Sequence, residues 1–193
     1  FLIICLTSLM NFGQNLPFPF KKSLVSHFNV KELEFIENKN QWDSKVEFYA
    51  KLNEANIWFE KDRITFDLFK PSDLDKFFKR KFLNEEERKL QDFDGVVNSH
   101  AYTMKFANSN PEVKVEGKGV LPHFLNYFIG NDKSKWASEV RVFDEALYKS
   151  LYDGIDLRIY SYEGKLKYDY IVAVGANPAA IEIEFEGLES FEI

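Results

Sequence analysis

The sequence predicts a mainly β protein: an antiparallel β-sandwich, or a jelly-roll variant of one, carrying a single charged helical insertion. Three observations predict it. Apolar residues recur at every second position along successive stretches, the period that puts one set on a buried face and its neighbours in water. Gly, Asn, Asp and Pro gather between those stretches as turn signals. The third is an aromatic supply of 20 Phe and 9 Tyr in 193 residues, enough to fill a core between two layers.

Taken in chain order, Phe1–Met10 is apolar and uncharged and runs into the polar Asn11–Asn15. This is the pattern of a secretory leader with a cut near Gly13, so residues 1–14 are expected to be its remnant, its basic start lying upstream. A membrane span needs about 20 apolar residues, and this run is half that. Cys5 is the only cysteine and falls inside the leader; Ile4 before it is too large for a lipoprotein cut. The mature protein then has no disulfide, no zinc–thiolate site and no cysteine nucleophile, and depends on its core. Residues 15–32 contain Pro17 and Pro19 in a Pro-Phe-Pro-Phe run without periodicity, and read as a linker or an extended segment laid over the domain.

The domain is expected over residues 33–193, continuing past Ile193. Strands are predicted where Val46, Phe48 and Ala50 alternate with Glu47, Tyr49 and Lys51. The same holds for Ile64, Phe66 and Leu68, for Tyr102, Met104 and Phe106, and for Val113 and Val115. Ile181, Ile183 and Phe185 against Glu182, Glu184 and Glu186 give the cleanest alternation. Ile155–Val172 is a hairpin turning at Glu163-Gly164. Between strands, Pro71–Asp92 places Leu74, Phe77, Phe78 and Phe82 at helical spacing. Ser72 or Asp73 is positioned to cap this helix, Glu85–Lys89 to support it, and Gly95 to end it. Its balanced charge marks a solvated helix, and an obvious cover for a neighbouring sheet face.

Four short motifs carry a resemblance. They are Glu37-Asn38-Lys39-Asn40-Gln41-Trp42, then Asn126–Trp136 with Val140–Phe143, then Tyr152–Arg158, then Leu166–Asp169 leading to Gly175–Pro178. In that order the chain resembles an amino-terminal β-rich domain of unknown function found in large secreted proteins of gliding-type bacteria. The resemblance implies β-propeller-like repeats of the SBBP type or adhesin-like modules downstream, and a type IX secretion sorting domain at the end. It supplies no catalytic residue. Read physically, Gly130 and Gly154 suit turns with unusual φ. Trp42 and Trp136 are expected to plug the ends of the core with their indole N–H on a carbonyl. Asp153, Asp156 and Asp169 are expected to bond turn amides or to pair with Arg158 and Lys167.

Chemistry is sparse. A net charge of −6 argues against nucleic acid, which needs a basic patch, and no second apolar run suggests membrane insertion of the mature domain. His27, His100 and His123 are scattered, and no nucleophile elbow, phosphate loop or dinucleotide fingerprint occurs. With 31 acidic residues some carboxylate pair must fall within the ~5–9 Å of a glycosidase, but the sequence singles out none. Calcium is the one cofactor left open, on Asn131, Asp132, Asp153 and Asp156, although their spacing matches no EF-hand. Trp58, out of phase with Ile57 and Phe59, is expected to face outward with Tyr49 and Phe69 as a sugar-stacking row. The expectation is therefore a non-catalytic structural or interaction module of a secreted or cell-surface protein. Its partners would be downstream domains, a surface glycan or another surface protein. Carbohydrate binding is the alternative, with a glycoside hydrolase behind it.

Overall fold

A computed structural model of the chain describes residues 2–6, 33–52, 54–163 and 165–188. In order, these form β1 (Leu2–Leu6), β2 (Phe35–Glu37), β3 (Val46–Leu52), β4 (Ala55–Glu60) and β5 (Arg63–Phe69). The helices α1 (Pro71–Arg80) and α2 (Glu85–Leu90) follow. Then come β6 (Ser99–Phe106), β7 (Lys114–Tyr127), β8 (Ala137–Tyr152), β9 (Ile155–Tyr162), β10 (Lys165–Val172) and β11 (Ile183–Glu186). The protein is mainly β, and every strand pairing described is antiparallel.

Two meanders make one curled sheet. β2 to β6 run side by side with β11 added beyond β6; β7 to β10 do the same with β1 added beyond β10. Within β2–β6 and within β7–β10 consecutive strands pair, so those two runs are meanders rather than the double Greek key of a jelly roll. The long β8 joins the halves. Its Val142 and Phe143 pair with β2, its Glu145–Tyr148 with β9, and β7 runs along its other side. A register shift after Tyr148 and a positive φ at Ser150 bend it. The curl brings the inner faces together.

Those faces are the ones alternation predicts. Phe48, Ala50, Ile64, Phe66, Leu68, Tyr102, Met104 and Phe106 are buried from one meander, and Tyr148, Ile155, Leu157, Ile159 and Tyr170 from the other, in one continuous core. Ile181, Ile183 and Phe185 pack against it half-buried while Glu182, Glu184 and Glu186 stay in water. Buried tyrosines stitch the layers: Tyr148 donates to the Glu60 carbonyl and Tyr152 to that of Glu182, both at 2.9 Å. Burial pushes the Tyr148 hydroxyl far above its ordinary range, so it remains a donor. In the β9–β10 hairpin Glu163 takes a φ of 50°; Gly164 lies outside the described residues.

The helical insertion differs from expectation at its start. Lys70 occupies the N-cap without a side-chain bond, Pro71 opens the helix, and neither Ser72 nor Asp73 caps it. Asp73 turns inward instead and accepts from the Asn98 side chain at 2.6 Å and the Asn98 amide at 3.3 Å, tying the two ends of the insertion together. Asn84 and Glu87 form the capping box, on α2, and the Lys89–Glu85 pair forms at 3.7 Å. Phe77, Phe78 and Phe82 remain exposed. Hydrogen bonding to Asn98 holds the Asp73 carboxyl below its ordinary value. A depressed carboxyl stabilises fully above its unfolded value of about 3.9 and loses that contribution as pH falls through the lower folded value. Asp73→Ala is therefore expected to speed amide exchange across residues 70–98 at pH 7 while β8 and β9 keep their protection. Hydrogen exchange read by mass spectrometry checks this; unchanged exchange in the insertion would mean the tie is not holding it.

The leader reading falls on a stretch of which only residues 2–6 are described. They form β1, in register from Leu2 opposite Val172 to Leu6 opposite Tyr168. A leader cut near Gly13 would take this strand away and leave β10 as the edge. The segment 15–32 and the end at 189–193 lie outside the described residues.

Candidate functional site

The first two motifs meet in space. Asn38 folds its loop around itself. Its amide nitrogen reaches the carbonyls of Asp43 at 2.7 Å and Val46 at 2.8 Å, while its oxygen accepts from the amides of Asn40 and Trp42. Gln41 closes the loop on the Glu37 carbonyl at 2.7 Å, and Asn40 takes a φ of 83°. Three bonds fasten this loop to the turn before β8 and to the start of that strand: Asn40 to Ser134 O at 2.6 Å, Lys39 to Ser138 O at 2.9 Å and Lys135 to Trp42 O at 3.4 Å. Arg141 seals the corner with its Nε and Nη2 on Glu37 Oε2 at 3.0 and 2.7 Å. Burial works to raise the Glu37 carboxyl, but the Arg141 hydrogen bonds and charge outweigh it and hold it low.

This loop delivers Trp42 onto the outer face of the sheet. Its ring lies 5.0 Å from Tyr49, 5.7 Å from Trp58 and 5.3 Å from Tyr127; Tyr49 and Trp58 are 4.6 Å apart. Beneath them Ile36, Ala137, Val140 and Val142 form a second, smaller core with Leu121 and Leu125. Trp42 thus covers a sheet face rather than plugging the end of the main core. Among the described residues the ring packed on Trp58 from the loop is Trp42, which meets Tyr127 in turn, rather than a residue of the charged helix. Each of the four rings stays half-buried. Tyr49 donates to Asn56 Oδ1 at 2.7 Å, and burial, with Tyr127 and Asp67 nearby, pushes its hydroxyl up to about 12. Phe69 sits at the far end of β5 opposite Ser99, so the structure does not bring it to Trp58 and Tyr49.

Beside the cluster, a bulge in β7 between Val120 and Phe124 opens a cleft of about 660 Å³, lined by Glu37, Lys39, Phe124, Glu139 and Arg141 among others. Past it a rim of apolar residues faces water: Val120 at 63%, Phe124 at 57%, Phe128 at 59% and Ile129 at 77% exposed. Trp136 belongs to this rim. It packs edge-on against Phe128 at 5.7 Å and donates Nε1 to the Gly130 carbonyl at 3.2 Å. The carbonyl bond is as expected, but the ring stands outside the core. Sequence reasoning missed the rim. Its signal was the run Val120–Ile129, apolar at both odd and even positions, a pattern that belongs to strands covered on both faces.

The calcium set does not assemble. Asn131 and Asp132 precede the 16-residue β8, whereas Asp153 and Asp156 follow it. Asp132 caps the turn at Ser134, with its amide at 3.0 Å and hydroxyl at 2.6 Å. Asp156 accepts from the Ser150 amide at 2.7 Å and pairs with Lys149. Among the described residues no three His, Cys, Asp or Glu side chains converge on a metal position. The other motifs meet around Arg158, which grips Glu145, stacks 4.3 Å over Tyr160 and lies 4.0 Å from Asp169. Gly130 and Gly154 take φ of 76° and 68°, the conformation only glycine adopts freely.

One family model matches, over residues 35–193: a domain of unknown function, DUF7948. The chain belongs to this family. No curated protein and no solved structure matches. The DUF7948 match spans β2 to β11, so the fastened corner, the aromatic cluster and the β7 rim all fall within the family domain.

Proposed function

We propose that this DUF7948 domain is a non-catalytic structural or interaction module of a secreted or cell-surface protein, preceding repeat or adhesion domains. One observation supports it most: the acids with depressed pKa are each held by an architectural partner. Arg141 holds Glu37, Arg63 holds Asp62, Asn98 holds Asp73, Lys118 holds Glu116 and Ser134 holds Asp132. Glu37 fastens its loop to β8 and Asp73 ties the two ends of the insertion, while Asp62, Glu116 and Asp132 each bond a neighbour one or two residues away. The apolar leader pattern supports export, and the family resemblance supports the gliding-type, type IX context with downstream repeats. The test is to fractionate producing cells and sequence the mature amino terminus. A protein in the medium or on the outer surface, starting near residue 14, is expected. A cytoplasmic protein retaining Phe1 would overturn the reading.

Glycan binding is a second reading, favoured by the half-exposed rings of Trp42, Tyr49 and Trp58 on one sheet face with Asn56 and Asp67 nearby. Sugars stack on such rings through apolar C–H faces. On this reading, Trp58→Ala is expected to weaken binding of an array-identified oligosaccharide at least tenfold while the fold, followed by far-UV circular dichroism, persists. An array at background for the unaltered protein ends this reading.

A further inference from the structure

The helical connection between β5 and β6 holds three phenylalanine rings out in water. Phe78 is 52% and Phe82 90% exposed, and Phe77 joins them. Single apolar residues on a surface are ordinary, but these rings are grouped. The last turn of α1 runs on past Arg80, since the amides of Lys81 and Phe82 donate to the carbonyls of Phe78 and Lys79. Positions three and four apart on a helix are neighbours, so Phe77, Phe78, Lys81 and Phe82 share one side of that turn. Phe77 and Phe78 meet edge-on at 5.8 Å, and the Lys81 ammonium lies 5.1 and 5.2 Å from their ring centres.

We infer that this side of α1 docks onto the surface of an anionic phospholipid bilayer, with the three rings at the acyl boundary and Lys81 among the headgroups. The opposite side of α1 is braced. Lys76 Nζ donates to the Asp92 carbonyl at 3.1 Å, Arg80 Nη1 to that of Phe93 at 2.7 Å, and Gln91 Nε2 to that of Lys76 at 3.3 Å. The segment after α2 therefore backs the helix, and the Asp73–Asn98 bond at 2.6 Å fixes the base of the insertion. The rings stand on a held element. They need no rearrangement to meet a flat surface.

The charges favour a membrane over a protein as the occupant. Lys79 is matched by Asp75 at 2.7 Å, but Lys81 has no carboxylate partner among the described residues. Lys76 and Arg80 bond carbonyls there and keep their charge. On α2, Glu85 is answered by Lys89 and Glu87 is engaged in the capping box. Protein interfaces exclude lysine from their apolar centre, whereas here Lys81 lies over two of the rings. An interfacial helix uses that mixture, rings for the acyl boundary and ammonium groups for the phosphates, with lysine stems along the apolar surface. The contact stays at the surface: α1 has ten residues, against the ~20 of a span. It depends on neither export nor glycan binding.

The experiment is co-sedimentation of the full chain with vesicles of phosphatidylcholine alone and of equal parts phosphatidylcholine and phosphatidylglycerol. The protein is expected to sediment with the anionic vesicles, less so as salt is added, and to stay in solution with phosphatidylcholine alone. Phe78→Ser/Phe82→Ser should weaken binding to the anionic vesicles about tenfold. Lys81→Glu, which reverses one charge, should also weaken it about tenfold. Both variants should keep the far-ultraviolet circular dichroism of the unaltered protein, because the altered side chains are exposed. Failure to bind either vesicle would overturn the inference, as would equal binding to both. Binding retained in full by both variants would place the contact elsewhere on the molecule and overturn it too. So would self-association without lipid that the double serine variant loses, since a second copy would then be the occupant.

Discussion

Phe59→Ala is expected to cost about 3–5 kcal/mol of folding stability. Phe59 lies on β4, wholly removed from solvent, with its ring 5.2 Å from that of Phe35 on β2. Removing it empties a space in the middle of the core, where surrounding side chains relax only partly. The chain's single cysteine leaves no disulfide to stiffen the fold, so this loss comes from a total of about 5–15 kcal/mol. In urea the midpoint should fall by about 1–3 M. Phe82→Ala is the control: that ring is almost fully exposed, and its loss should stay within about 0.5 kcal/mol. Comparable midpoints for the two variants would mean that the core does not hold the fold.

The core was legible because period two is a local signal. Ile64, Phe66 and Leu68 declare a face wherever the strand ends up, and the structure buries all three. What covers a face is not local. The outer face bearing Tyr49 and Trp58 could be assigned from alternation, but its cover, Trp42, arrives through a loop whose shape depends on Asn38 bonding both ways along the chain. Nothing in the spacing of Glu37–Trp42 shows that Arg141, 104 residues later, completes it. The calcium residues failed for the converse reason. Loops rich in oxygen look alike in sequence, and β8 holds these two apart. The helical insertion shows the limit of periodicity. Phe77 and Phe78 lie at core-like spacing, yet they pack on each other at 5.8 Å under Lys81 rather than onto the sheet.

The position of β7 on β8 rests on a glycine, and Gly117→Ala is expected to destabilise the protein by about 1–3 kcal/mol. Gly117 lies opposite Ala146, and a methyl group there would overlap the ring of Phe143. That ring has nowhere to go. It is buried, meets Phe48 edge-on at 5.7 Å, and carries the Arg141 guanidinium 5.3 Å above it. Alanine also narrows the unfolded ensemble, which offsets about 0.4–1 kcal/mol of the clash. If overlap is the cause, shrinking the ring should relieve it: Gly117→Ala combined with Phe143→Leu is expected to cost less than the sum of the two alone, by about 0.5–3 kcal/mol. The displacement should also be visible at the corner. β7 carries Tyr127 into the Trp42 cluster, so pushing the strand off β8 should reduce the near-ultraviolet circular dichroism of the indoles even where the protein stays folded. Strict additivity with an unchanged aromatic signal would show that close approach at Gly117 is not what seats β7, and the fastened corner would then have to be held from its loops alone.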